Sequence, residues 1–168
     1  KAQCFINIGE LFLAEANYKE SALSFNNANK FIEDLGEIEE KAIILHNIGI
    51  VHKRQNEFTK AESFVNEALV INSKLKIYKE MASNNYTLAS IFSKKKDYPA
   101  ALIYIKEALN LDKKVENSSG IAKDLYAFGL IYQYLGSFDK AYIYFKKCIL
   151  IYETMNLSNE VIKTLIKL

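Results

Sequence analysis

Apolar side chains recur at intervals of three or four residues along almost the whole chain. Leu125, Phe128, Tyr132 and Leu135 form one such series, and Ala141, Phe145, Cys148 and Ile151 form the next. That spacing places each series on one face of a helix. Short polar breaks separate the series. The pattern predicts helices at about 2–15, 18–35, 38–55, 58–75, 78–95, 98–115, 119–135 and 138–155.

The pattern also repeats. A shift of 40 residues superimposes the sequence on itself without a gap. Ala2, Ala42, Ala82 and Ala122 share one column; Gly9, Gly49, Ala89 and Gly129 share another. Tyr18, Phe58, Tyr98 and Phe138 form a third, Ser21, Ala61, Ala101 and Ala141 a fourth, and Ala28, Ala68, Ala108 and Cys148 a fifth. The columns of Ile8, Ile48, Leu88 and Phe128, and of Phe31, Ile71, Leu111 and Ile151, are apolar throughout. A fixed period of this length is the mark of a helical-repeat array. The repeats run at about 1–40, 41–80, 81–120 and 121–160, in one array over 1–168.

Size within a column has a physical reading. Gly or Ala lets the two helices of a repeat approach closely at their crossing, and the large apolar columns fill the grooves beside it. The break between the paired helices carries Asn17, Glu57, Asp97 or Ser137 before the aromatic. Asn, Asp and Ser there are good N-caps, and Asn17 with Glu20 has capping-box spacing; Glu57 is a poorer cap. Pro99 falls in a first turn, where a missing N–H costs nothing. Gly136 and Asn56 tolerate the left-handed conformation that ends a helix. Leu35-Gly36-Glu37 and Asn117-Ser118-Ser119-Gly120 read as turns between repeats.

Residues Ser158 to Leu168 keep the register. Leu165 lands in the column of Phe5, Leu45 and Leu125, and Leu168 in that of Ile8, Ile48 and Phe128. The segment 161–168 therefore reads as the start of a fifth repeat, in a piece of a longer array, or else as a capping helix.

Composition narrows the class. Of 168 residues, 22 are Lys or Arg and 20 are Asp or Glu, so the formal charge is +2. Half the residues are hydrophobic, which argues against disorder. The balanced charge argues against nucleic acid as a partner. No run of about 18 apolar residues exists, so no membrane span or membrane partner is expected. The chain opens at Lys1 without Met and shows no signal peptide; a cytoplasmic setting is expected, though a removed leader stays open. Cys4 and Cys148 stand three repeats apart, beyond the ~7 Å Cα reach of a disulfide. Both are expected to be buried and reduced.

The columns resemble the tetratricopeptide repeat. The residues that carry the likeness in the fourth repeat are Leu125, Phe128-Gly129, Tyr132, Ala141, Phe145 and Cys148. In the first they are Phe5, Ile8-Gly9, Phe12, Ser21, Phe25 and Ala28. The third is irregular, with Asn85 and Ala89 in place of the large residue and the Gly. A period of 40 without a closing Pro departs from the 34-residue standard. It resembles the extended variant of kinesin light chains and of the Rap- and PlcR-like peptide-sensing regulators. HEAT and armadillo arrays share the period, but the order of Gly, aromatic and Ala fits the tetratricopeptide repeat better. The resemblance implies an all-α fold: a right-handed superhelical solenoid of antiparallel helix pairs, four repeats plus a partial fifth helix.

In that family the first helix of each repeat lines the concave surface. Carried over column by column, the binding positions are Asn7, Glu10, His46, Asn47, Ile50, Lys53, Arg54, Tyr86, Ser90, Lys94, Lys123, Tyr126, Leu130, Gln133 and Tyr134. Gln3, Ile6, Leu13, Ile43, Ser83 and Thr87 fall in the same columns. Amides can hydrogen-bond an extended backbone, and tyrosines offer apolar area with a polar tip. The carboxylate clamp of some family members is represented by isolated residues alone, Asn47 and Lys123, so that specialisation is not expected.

Other chemistry finds little support. His46 and His52 point to different sides of a helix, and His52 shares the packing column of Phe12, Phe92 and Tyr132. No His/Cys cluster has zinc spacing, and no nucleotide-binding or nucleophile motif occurs, so no metal, cofactor or catalysis is expected. Glu33, Asp34, Glu37, Glu39 and Glu40 read as a solvated turn and a favourable helix start, and Lys94, Lys95 and Lys96 as a favourable helix end. Tyr142 and Tyr152, where other repeats have Ala22, Glu62 and Leu102 or Ile32, Asn72 and Asp112, are expected to face outward. They and the incomplete last repeat offer a surface for self-association. The expected role is an interaction scaffold that binds a partner segment in its groove. The alternative is the sensory part of a larger bacterial signalling protein whose effector domain lies outside this stretch.

Overall fold

A computed structural model describes residues 1–33 and 38–167, apart from the side chain of Glu33. The turn expected at Leu35-Gly36-Glu37, the acidic side chains of Glu33, Asp34 and Glu37, and the column position of Leu168 lie outside the described residues. Among those residues there are nine helices and no strand: α1 (Ala2–Ala14), α2 (Tyr18–Glu33), α3 (Ile38–Arg54), α4 (Phe58–Leu75), α5 (Tyr78–Lys94), α6 (Tyr98–Lys114), α7 (Ser118–Tyr134), α8 (Phe138–Thr154) and α9 (Ser158–Leu165). From Tyr18 on, each helix starts 20 residues after the one before. The fold is all-α and built of helix pairs, as the period requires.

One device ends α1 and each of the helices α3 to α8. Ala16, Asn56, Lys96 and Gly136 have positive φ, as do Lys76, Glu116 and Asn156. The following N–H reaches back to the carbonyl five residues earlier: Asn17 to Phe12 at 2.8 Å, Glu57 to His52 at 2.9 Å, Asn117 to Asp112 at 2.9 Å. This is the Schellman arrangement, which satisfies carbonyls the helix leaves orphaned. It recurs both within repeats and between them, at residues that are mostly not Gly.

The starts are less uniform. Asp97 Oδ1 accepts from the Ala100 N–H at 3.1 Å, and Pro99 sits in that first turn. Asn17 accepts from Glu20 at 3.5 Å, a long bond. Ser137 and Glu57 make no side-chain cap. Asn117 to Gly120 is the start of α7 rather than a free turn. Asn117 is the N-cap, and its Oδ1 accepts from the Gly120 N–H at 3.2 Å.

The described residues fall into two compact units, Lys1–Ile77 and Tyr78–Leu168. In the first, Ile6, Phe25, Ala28, Ile32, Ile44, Ile48 and Val51 form the core. In the second, Ala89, Ala101, Ile105, Ala108, Ala122, Leu125, Phe128, Ile131, Cys148 and Tyr152 do so. Each helix crossing is closed as the small columns predict. A Cβ on Gly9 would lie 2.7 Å from the Phe25 ring, and one on Gly49 or Gly129 would collide with Val65 or Phe145. Ser21, in the Ala61 column, is tolerated because its buried Oγ donates to the Gly9 carbonyl at 2.8 Å.

Two expectations are corrected. Cys4 is exposed, although Cys148 is buried. The equivalent of Cys4 on α3, Ile44, is covered by its packing within the first unit's core; α1 has no helix on that side among the described residues. Tyr152 is buried, not outward-facing, while Tyr142 is exposed. The column of Ile32, Asn72, Asp112 and Tyr152 is buried in every repeat. Within the first unit Ile32 faces the next first helix, as its joint membership with Ile44 in one core shows.

Candidate functional site

In the first unit, α1 and α3 pack side by side. Asn7, Glu10 and Arg54 are exposed there, and His46, Ile50 and Lys53 are half-buried. Asn47 is buried, and its Nδ2 donates to Glu10 Oε1 at 3.1 Å, joining the two first helices. Asn7 accepts a bond of 2.8 Å from Gln3 Nε2. Burial lowers the His46 pKa to about 4, and the charge of Lys53 adds to the shift. The imidazole is therefore neutral at pH 7. Ile6, carried into the face by its column, lies instead in the core at 1% exposure.

In the second unit, α5 and α7 are neighbours in the same way. Lys94, Lys123 and Tyr134 are exposed; Tyr86, Ser90, Tyr126, Leu130 and Gln133 are half-buried. Thr87 is buried and leaves the face. Tyr126 tilts against Phe145 with centroids 5.6 Å apart, and burial, above all, raises its phenol pKa. Tyr134 stacks on Tyr98, the first residue of α6, at 5.8 Å. The two faces differ in chemistry. The first is rich in amides and charges, and the second in aromatic and hydroxyl groups.

The remaining candidates are structural. His52 stacks on Phe64 at 5.3 Å and holds Glu57 Oε2 at 2.8 Å through Nδ1. Hydrogen bonds from Lys60 and then His52 keep the Glu57 carboxyl below its ordinary pKa. The Phe92–Tyr104 and Tyr132–Tyr144 stacks occupy the equivalent places in the third and fourth repeats. Lys95 lies over the Phe92 ring, 4.7 Å from its centroid. Among the described residues no group of three or more His, Cys, Asp or Glu could hold a metal ion. No helix among them is long and apolar enough to cross a membrane.

Sequence reasoning missed two features. A shallow recess is lined by Gln133, Phe138, Ala141, Tyr142, Phe145 and Lys167. Phe138 is 68% exposed there, and its column of first-turn aromatics gave no hint of that. Polar side chains are also buried at Asn72, Asn84, Asp112, Asp124 and Thr164. Their sequence signal is a polar residue in a column that opens with Ile32 or follows Ile44 with Asn84.

Residues 80–154 match the model of the family described as Tetratricopeptide repeat. Residues 80–154 are therefore similar to tetratricopeptide repeats, and the helix pairs of the chain recur every 40 residues. Comparison with curated proteins returns no match. Among solved structures, BtubC (BKLC) from P. vanneervenii superimposes with a TM-score of 0.80 at 20% identity, over 92% of this chain and 64% of that one. The Rap conjugation gene regulator of the plasmid pLS20, in complex with a Phr peptide, gives 0.78 at 16% identity, over 95% and 50%. Kinesin light chain TPR-like repeats from Podosopora anserina give 0.73 at 9% identity, over 98% and 92%. At these identities the likeness is one of fold. The chain spans less than two thirds of the length of the first two structures.

Proposed function

We propose that this chain is a non-catalytic interaction module, one array over residues 1–168, that holds a peptide or protein segment against its first helices. The observation that carries the reading is the Asn47–Glu10 bond. It ties α1 to α3, on which the exposed Asn7 amide and Arg54 guanidinium can orient a chain laid across the two helices. Tyr86, Tyr126 and Leu130 supply the apolar area of the second face. The Rap regulator of similar fold is bound to a peptide, which supports the same class of ligand here.

Such a site spreads its energy over many contacts, so single substitutions weaken binding by about 1–2 kcal/mol outside an anchor. The test is selection of binders from a displayed peptide library, followed by titration against variants with Ala at Asn47, Lys53, Tyr86 or Tyr126. Losses of that size at several positions support the assignment. Unchanged affinity at all four, with the helical signal intact, removes it. A second reading, a sensory segment of a larger signalling protein, is favoured by the 50% share of the Rap regulator that the chain spans. An effector domain in the same open reading frame is its discriminating observation.

A further inference from the structure

Within each unit the columns of Ile32 and Ile44 meet where a second helix packs on the next first helix. At the first junction both residues are apolar and both belong to the core of the first unit. At the α6–α7 junction the same two columns hold Asp112 and Asp124. Their exposures are 5% and 1%. Two carboxyls have replaced two isoleucine side chains in a place where the fold needs no polar group.

The surroundings fit a pair. Asp112 Oδ1 accepts from Asn117 Nδ2 at 2.8 Å, and the Asn117 N–H bonds the Asp112 carbonyl. Gly120 makes room: a Cβ there would collide with Asp112 Oδ2. Asp124 Oδ2 is buried and receives no hydrogen bond, yet the carboxyl of Asp112 lies within hydrogen-bonding reach of Asp124. The charged groups acting on Asp124 are Asp112, from α6, and the exposed Lys123, its neighbour on α7. From α8 the nearby Cys148 donates its thiol to the Ala122 carbonyl at 3.2 Å.

We propose that Asp112 and Asp124 share one proton at neutral pH, and that this proton fastens α6 to α7. Two carboxylates in contact in a buried site cannot both ionise cheaply. A proton on one supplies the hydrogen bond that the other oxygen lacks. Burial first, and then the Asp112 charge, raises the Asp124 pKa to about 8. The pair titrates as a unit, so two apparent values describe it better than two assigned ones. The joint is closed at neutral and acid pH and loosens in alkali, when the proton leaves and two buried charges face each other. This inference is independent of the binding role.

Carbon-detected NMR of the intact chain, titrated from pH 3 to 9, reads the carboxyls directly. One step near the ordinary Asp value and one displaced well above pH 6 are expected. Two steps near the ordinary value overturn the proposal. In parallel, urea unfolding is followed from pH 5 to 8 for the wild type, Asp124→Asn and Asp112→Asn. One retained proton makes the wild-type unfolding constant rise by up to tenfold per pH unit relative to Asp124→Asn, while Asp112→Asn, in which burial still acts on Asp124, should lie between them. Identical pH slopes for the wild type and Asp124→Asn overturn it as well. The NMR result stands on the wild type alone should either variant fail to fold.

Discussion

The ring of Phe145 fills the space that a Cβ on Gly129 would need. The same relation holds between Phe25 and Gly9, so a glycine on the first helix and a large ring on the second form one packing unit. Gly129→Ala gains helix propensity of about 1 kcal/mol and must displace a ring that is 1% exposed. Overpacking dominates, and a net loss of about 1–3 kcal/mol is expected in urea unfolding. Phe145→Leu made together with Gly129→Ala should restore part of that loss. A purely additive double mutant would show that the two sites do not touch in solution.

The left-handed helix ends make a second prediction. Lys96 and Glu116 hold φ of 64° and 55° with a Cβ in place. Glycine relieves that steric cost but frees the unfolded chain, so each change to Gly should stabilise by about 0.5–1 kcal/mol. Gly136→Ala, at φ 71°, should lose a similar amount. Melting temperatures of the three variants check this, and a fall for both Lys96→Gly and Glu116→Gly contradicts the assigned turn.

Thiol chemistry distinguishes the two cysteines. Cys4 is exposed and Cys148 is buried, with burial pushing its thiol up to about 11. A thiolate-directed reagent at pH 8 should label one cysteine quickly in the native chain, and Cys4→Ser should abolish that reaction. The second label should appear in denaturant alone. Rapid native labelling of Cys148 would contradict the packing of Tyr152 and Thr164 around it.

His46 gives a pH dependence of opposite direction to the acid pair. Its folded pKa of about 4 lies below the ordinary 6.5. Above pH 6.5 both states are neutral and nothing changes. As pH falls from 6.5 towards 4 the unfolded chain takes a proton that the folded chain refuses, so stability is lost over that window. The loss is on the order of 3 kcal/mol, and His46→Gln should remove most of it. Equal acid sensitivity in wild type and His46→Gln would mean that the ring titrates normally.

Much of this fold was legible because its determinants sit in short, repeated stretches. Gly9, Gly49 and Gly129 announced the crossings, and the aromatics Tyr18, Phe58, Tyr98 and Phe138 proved to be the first residues of their helices. What escaped depended on what lies beyond a helix pair. Cys4 and Cys148 are alike as residues, and burial differs because Ile44 meets the packed interior while Cys4 meets solvent. Tyr152 was expected to face outward, in a column that also holds Ile32, Asn72 and Asp112. The column is a junction, and a polar residue there signals a buried partner rather than water. Asn47 and Glu10 were both in the set that register placed on the first helices. The bond between them follows from two helices 37 residues apart being neighbours in space.

Within each unit the helices touch chiefly those one or two places along the chain. No distant segments have to find each other before native contacts are rewarded, which keeps the entropic barrier to ordering low. Ordering can therefore nucleate at any helix pair and spread outward, and a lesion such as Gly129→Ala should slow or fray its own neighbourhood first while the rest of that unit still forms.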